Sequence, residues 1–154
     1  MNNIELLDGA MGSEFIRQGI SLPKNIWTAQ LNLEAEELVF KIHKEYVDAG
    51  SDYLTTNTFR TTPRSYLKTG INVEDAFTIS KLALENSVKI AKKAAPINTK
   101  ILGSIAPLED CYLPNLFPGV EAAKKEFYQL GEWFINADID IFLVETMNSI
   151  IKTE

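Results

Sequence analysis

Thiols and imidazoles are almost absent from this chain of 154 residues, which has one cysteine, Cys111, and one histidine, His43. A single cysteine excludes an internal disulfide framework and suits a reducing compartment. A zinc site built on Cys111 would lack partner ligands in this chain. Long apolar runs are missing too. No stretch approaches the ~20 residues of a membrane span, and the opening "MNNIELLDGAMGSEFIRQGI" has no basic start leading into an apolar core of signal length. The expectation is a cytoplasmic protein with no membrane partner. Positive charge is also scarce: 15 Lys and Arg against 21 Asp and Glu leave a net charge of −6, so no overall field draws nucleic acid. No low-complexity linker or shift of composition marks a second domain. What is present, 45% hydrophobic and 23% charged residues, suffices for one globular unit with a buried core.

Four short apolar runs read as strands: "IELLD" (4–8), "YLTTN" (53–57), "KILGSI" (100–105) and "IFLVE" (141–145). Helical spacing fills the intervals. Over 34–49, Leu38, Ile42, Tyr46 and Ala49 share one face and Glu37, Lys41, Lys44 and Asp48 the other, with Gly50 as a left-handed stop. Over 73–95, Asn72 is placed to cap the helix, Glu74 and Asp75 suit the start of its dipole, and Lys92 and Lys93 its end before Pro96. Over 120–137, Ala123, Phe127, Leu130, Phe134 and Ala137 form one stripe. Strands alternating with helices of this length make βαβ crossovers and a parallel sheet, open or closed.

A repeat adds detail. The stretches "DYLTTNTF" (52–59) and "DIFLVETM" (140–147) match without a gap, so Ala49, Asp52, Asn57 and Thr58 correspond to Ala137, Asp140, Glu145 and Thr146. Equivalent βα units place Asn57 and Glu145 at one height. In parallel α/β folds, ligands bind at the carboxyl ends of the strands, and Asp8, Asn57, Ser104 and Glu145 all hold that position. After Asp8, the string "GAMGSE" supplies Gly9 and Gly12, whose backbone amides can approach a carboxylate or phosphate closely. Two carboxylates with such amides between them suit an amino acid, the carboxylates on its ammonium group and the amides on its carboxylate. The alternative is that Asp8 caps a turn and Glu145 caps the following helix.

Other residues carry weaker signals. "GAMGSE" does not match GxGxxG, so there is no dinucleotide fingerprint. His43 sits at the edge of an apolar stripe and reads as a packing residue. Cys111, in "APLEDCYLP", reads as a loop thiol. Trp27, Tyr112 and Phe117 are candidates for the lining of a mouth, though singly such aromatics pack. Arg64 and Lys68, at helical spacing in "PRSYLK", read as a solvated face.

The strings "LLDGAMGSE", "WTAQLN" (Trp27 to Asn32), "HKEYVDAGSDYLTTNTFRTTPRSYL", "GSIAPLEDCYLP" and "DIFLVETMN" together resemble the homocysteine S-methyltransferase family, in the same order and at compatible spacing. The resemblance spans essentially the whole chain, but only the first half of the family's domain. It implies a (β/α)₈ TIM barrel and transfer of a methyl group to the thiol of homocysteine, a step of methionine biosynthesis. It further implies that Asp8 and Glu145 hold the homocysteine amino group, that the backbone at Gly9 and Ala10 helps receive the carboxylate, and that Asn57 and Thr58 shape the pocket floor. Ser13, where threonine is more usual, and Asp138, where a helix-ending glycine is common, depart from the family pattern.

Family members bind zinc through three cysteine thiolates in later motifs that this chain does not contain. Cys111 lies outside them, so the resemblance gives the chain no metal role. Since a complete barrel takes about 250 residues, residues 1–154 are expected to form a single partial domain that stops in or before the fourth helix. Alone, such a half is expected to be inactive, to hold no stoichiometric zinc, and to self-associate or pair with a complementary C-terminal half. A non-catalytic half-barrel that serves as an interaction or regulatory module is the main alternative, and a different barrel enzyme acting on a small amino acid or acid is another.

Overall fold

The computed structural model describes residues 4–148. Three parallel strands, β1 (Tyr53–Thr55), β2 (Lys100–Ile105) and β3 (Phe142–Val144), lie side by side in that order. The register pairs Leu54 with Ile101 and Ser104 with Leu143. The expected first strand runs along the free side of β1, held by a parallel bridge between Leu7 and Tyr53 and by Asp8 N donating to Tyr53 O at 3.0 Å. It does not extend into a full ladder. Its Leu6 N–H is taken by the Asp52 side chain at 2.8 Å instead of by a backbone carbonyl.

A long helix carries each parallel connection. Helices α1 (Met11–Arg17), α2 (Leu31–Glu34) and α3 (Glu36–Asp48) precede β1, α4 (Pro63–Leu67) and α5 (Val73–Ala94) join β1 to β2, and α6 (Val120–Asn136) joins β2 to β3. The three long helices, α3, α5 and α6, fall where apolar periodicity predicts them. On α3 the buried stripe is rotated from the expected one: Val39, Ile42 and His43 are sealed, Leu38 and Tyr46 flank them, and Ala49 is exposed. On α5 the Asn72 side chain accepts from Asp75 N at 2.9 Å, satisfying one of the free amides of the first turn. Lys92 closes a neighbouring helix, donating to Ala137 O at 2.7 Å, just past the end of α6.

The helices cover the sheet through one main cluster, in which Leu84 and Val88 of α5 meet Leu130, Trp133 and Phe134 of α6 and Ile139. Gly103 in β2 permits this approach. A Cβ there would stand 3.1 Å from the Phe134 ring and from Ile139, a spacing that forces a neighbour to shift. Phe134 is fully buried, and its truncation to alanine is worth about 3–5 kcal/mol.

The short helices α1, α2 and α4, and a 3₁₀ turn at Pro114–Leu116, all follow the carboxyl end of a strand. This concentrates the irregular backbone at one end of the sheet, as in a half (β/α)₈ barrel. The two margins of the sheet are open. Leu6 and Leu7 on one side and Ile141, Phe142 and Val144 on the other are each between 39% and 50% exposed. Among the described residues no helix is long and apolar enough to cross a membrane. The expected start of a fourth helix falls at residues 149–154, outside the described residues.

Candidate functional site

Asp8 ends the first strand segment, where burial leaves its carboxylate short of water. Thr55 answers part of that need: its N–H donates to Asp8 Oδ2 at 2.8 Å and its hydroxyl to Oδ1 at 3.0 Å. Burial still prevails and, with the nearby charge of Glu145 adding to it, raises the Asp8 pKa to about 6. Glu145 leaves β3 with its backbone N–H bonded to Ile105 O at 3.0 Å, and its Oε1 accepts the Ser104 hydroxyl.

Behind Ser104 lies a closed ring of polar groups. Ser104 N donates to Thr56 Oγ1 at 3.0 Å, Thr56 and Thr58 hydroxyls meet at 2.8 Å, and Thr58 Oγ1 donates to Ser104 O at 2.7 Å. Since Thr58 spends its proton on the Ser104 carbonyl, the Thr56 hydroxyl is the donor between the two threonines. All three residues are buried, so the ring fixes the ends of β1 and β2 against each other and sets the serine that holds Glu145.

Asp8 and Glu145 face one cavity of about 530 Å³ at the carboxyl ends of the strands. Gly9, Ala10 and Asn57 line it as well, so five of the six residues expected at a binding site are brought together. Thr58 is the exception, lying outside the lining with its hydroxyl consumed by the ring. Asn57 reaches the wall, but its amide is fully engaged. Its Oδ1 accepts from Thr28 Oγ1 at 2.6 Å and its Nδ2 donates to Asn32 Oδ1 at 2.8 Å, while Asn32 Nδ2 returns a bond to Asn57 O at 2.8 Å. Asn57 therefore pins the Trp27–Asn32 segment beside the cavity and has no side-chain donor left for a ligand.

The two glycines of "GAMGSE" turn out to make room for aromatic rings. A Cβ on Gly9 would lie 2.7 Å from Tyr46 Oη, and one on Gly12 would lie 2.6 Å from Trp27 Nε1. Trp27 and Tyr112 line the cavity, as does Cys111, whereas Phe117 does not. His43 is sealed inside with neither ring nitrogen bonded, and burial lowers its pKa to about 4. It is a packing residue, as expected.

Arg64 and Lys68 are not a free solvated face. Both bind Glu109, which is 8% exposed, and Arg64 also binds Glu126 of α6 through Nε at 3.0 Å. Glu109 precedes Asp110, Cys111 and Tyr112, so this partly buried ion cluster ties down the loop that forms one rim of the cavity.

A feature that no local pattern announces is the distribution of backbone strain. Four non-glycine residues have positive φ: Trp27 (47°), Arg60 (72°), Asp138 (57°) and Thr146 (58°). Asp138 ends a helix, where the sequence already suggested left-handed geometry. The other three all line the cavity. Strained backbone gathers at functional sites, where the surrounding structure must hold it.

Among the described residues no group of three His, Cys, Asp or Glu side chains is placed to hold a metal ion. The donors present here do not fit a zinc site.

The family model for homocysteine S-methyltransferase matches residues 5–154. The homocysteine S-methyltransferase of Escherichia coli is 33% identical over 167 aligned positions, covering 99% of this chain and 53% of that protein. The selenocysteine Se-methyltransferase of Brassica oleracea is 28% identical across 58% of this chain. The metallated crystal form of the E. coli homocysteine methyltransferase MmuM superposes with a TM-score of 0.81 at 27% identity, over 98% of this chain and 57% of that one. The chain thus spans about half the length of these E. coli relatives. With the match running through both carboxylates and the scaffold that carries them, this chain belongs to the homocysteine S-methyltransferase family.

Proposed function

We propose that the cavity is an amino-acid cradle and that its ligand is homocysteine. The observation that carries this reading is the convergence of Asp8 and Glu145, from opposite margins of the sheet, on one cavity where the charge of Glu145 bears on Asp8. Two carboxylates lining one cavity, one of them with its pKa raised toward neutrality, call for a cation between them, and an ammonium group supplies one with three donors. Ammonium binding would return Asp8 to its ionised form. The backbone at Gly9 and Ala10 would meet the ligand's carboxylate, and Asn57, with Thr58 behind it, would hold the Trp27–Asn32 segment at the cavity.

In this reading residues 1–154 form one partial domain of a methyltransferase that passes a methyl group from a donor to the homocysteine thiol and gives methionine. Zinc, which would make the thiol nucleophilic, would be held by residues of a complementary half. The single free thiol suits a reducing cytoplasm. By itself the chain binds substrate and does not turn it over, and its open sheet margins cause it to self-associate or to pair with that other half. A second reading, a non-catalytic interaction module, is favoured by those same exposed apolar margins.

Titration calorimetry of L-homocysteine into the chain, beside Asp8→Asn and Glu145→Gln, tests the cradle. Saturable binding lost in both variants supports it. A wild-type chain indifferent to homocysteine refutes it and leaves the interaction module.

A further inference from the structure

Asp8 and Glu145 account for a cation in the cavity, but the same cavity is also lined by Arg60 and Lys24. Among the described residues neither has a carboxylate partner. Arg60 lies over the Phe59 ring at 5.7 Å, and no other interaction of it is present. The other two arginines of the chain are ion-paired: Arg17 with Glu14, and Arg64, four positions on, with two glutamates. Arg60 is also half-buried and holds φ of 72°, a conformation that a long side chain takes at a cost and glycine takes freely. A partly desolvated guanidinium, kept unpaired on strained backbone at the wall of a cavity, is a preorganised receptor for an anion.

We propose that Arg60, assisted by the more exposed Lys24, receives a carboxylate of the ligand, giving the cavity a cationic side distinct from its acidic one. This rests on reading the cavity as a site for an amino acid and its methyl donor. The carboxylate has two possible sources, the amino acid itself or the donor, and planar bidentate capture by a guanidinium serves either.

The test uses Arg60→Gly and Arg60→Lys in the full chain, with calorimetry of matched probes. Glycine relieves the backbone, so the first variant should melt at or above the wild-type temperature, which separates a binding defect from misfolding. The probes are L-homocysteine, 3-aminopropane-1-thiol (which lacks the carboxylate), 4-mercaptobutyrate (which lacks the ammonium), and glycine betaine beside tetramethylammonium. In Arg60→Gly the affinity for carboxylate-bearing probes should fall about tenfold or more, while the amine and tetramethylammonium are unaffected. Arg60→Lys, which keeps the charge without the fork, should fall between. A loss with homocysteine and mercaptobutyrate assigns the amino acid's carboxylate to Arg60, and a loss with betaine assigns the donor's. If Arg60→Gly binds every carboxylate probe as the wild type does, the proposal is wrong although the cradle stands. If Asp8→Asn leaves homocysteine affinity intact while Arg60→Gly abolishes it, the cradle's ammonium side is wrong and the cationic side stands. A wild-type chain that takes none of the probes overturns both.

Discussion

Thr58 Oγ1 donates to the carbonyl oxygen of Ser104 at 2.7 Å, joining the end of β1 to the end of β2 directly behind the serine whose hydroxyl holds Glu145. Residues that never touch the cavity thereby determine where one of its carboxylates points.

Ser104→Ala should leave this backbone contact in place and remove only the donor to Glu145. We expect homocysteine affinity to drop about fivefold, the worth of roughly 1 kcal/mol, with little change in melting temperature. A fall in stability without a change in affinity would show that the serine serves the fold alone.

Asp8 is ionised reluctantly, and this has two consequences. Its folded pKa of about 6 lies above the ordinary 3.8, so its contribution to stability is fully present below pH 3.8 and is lost as the pH rises through 6. Asp8→Asn should therefore stabilise the fold at pH 7.5, by about 1–2 kcal/mol after allowance for partial exposure. In the wild type, ammonium binding near pH 6 should expel the Asp8 proton. Calorimetry at that pH in buffers of different ionisation enthalpy should show proton release, which disappears in Asp8→Asn.

His43 has the opposite sign. Its folded pKa of about 4 lies below 6.5, so the stability it confers is whole above pH 6.5 and is lost as the pH falls through 4. Denaturant titrations between those limits, run in the Asp8→Asn background to remove the opposing slope, should show a loss of up to about 3 kcal/mol. His43→Leu should flatten the curve. An unchanged slope would mean that the imidazole finds water or a partner when protonated.

Glu109→Gln should cost about 2–3 kcal/mol, less than a fully buried pair because Arg64 and Lys68 are partly exposed and Arg64 keeps Glu126. The rim that carries Cys111 should loosen with it. Faster reaction of Cys111 with a thiol reagent would report this, and an unchanged rate would confine the cluster's role to stability.

The open margins should make the chain associate. Phe142→Lys with Val144→Lys places charge on one margin, and sedimentation should then show a smaller species at micromolar concentration, since charged edges resist pairing. Identical sedimentation of both proteins would rule out that margin as the contact.

Much of this architecture was legible because it is local. Each long helix buries one stripe, and the period of that stripe is written in "LVFKIHKEY" as plainly as in "FYQLGEWF". The strand ends followed from the internal repeat, which put Asn57 and Glu145 at one cavity. What stayed hidden is tertiary. Arg64 and Lys68 looked solvated because their partner Glu109 is 45 and 41 positions away. Asn57 looked available because nothing in "TTNTF" shows that Thr28 and Asn32 will consume its amide. One miss had a signal: Thr62 accepts from Ser65 N and Pro63 follows it, an N-cap with proline at the first turn, which marks α4. The helix α1 was obscured by Gly9 before it and Gly12 within it, which read as backbone open to a ligand's carboxylate or phosphate and instead make room for the rings of Tyr46 and Trp27.

The segment carrying Asp8 and the strand leading to Glu145 are the two margins of the sheet, with β1 and β2 between them. The gap between the carboxylates is therefore a calliper reading of how strongly the sheet is curled. In the proposed reading, anything that bends it, such as a second half closing the barrel, would reset the grip on an ammonium group. Reciprocity then requires that a bound amine favour the curvature it prefers, by the same free energy. Ligand affinity and barrel closure would then be two measurements of one quantity.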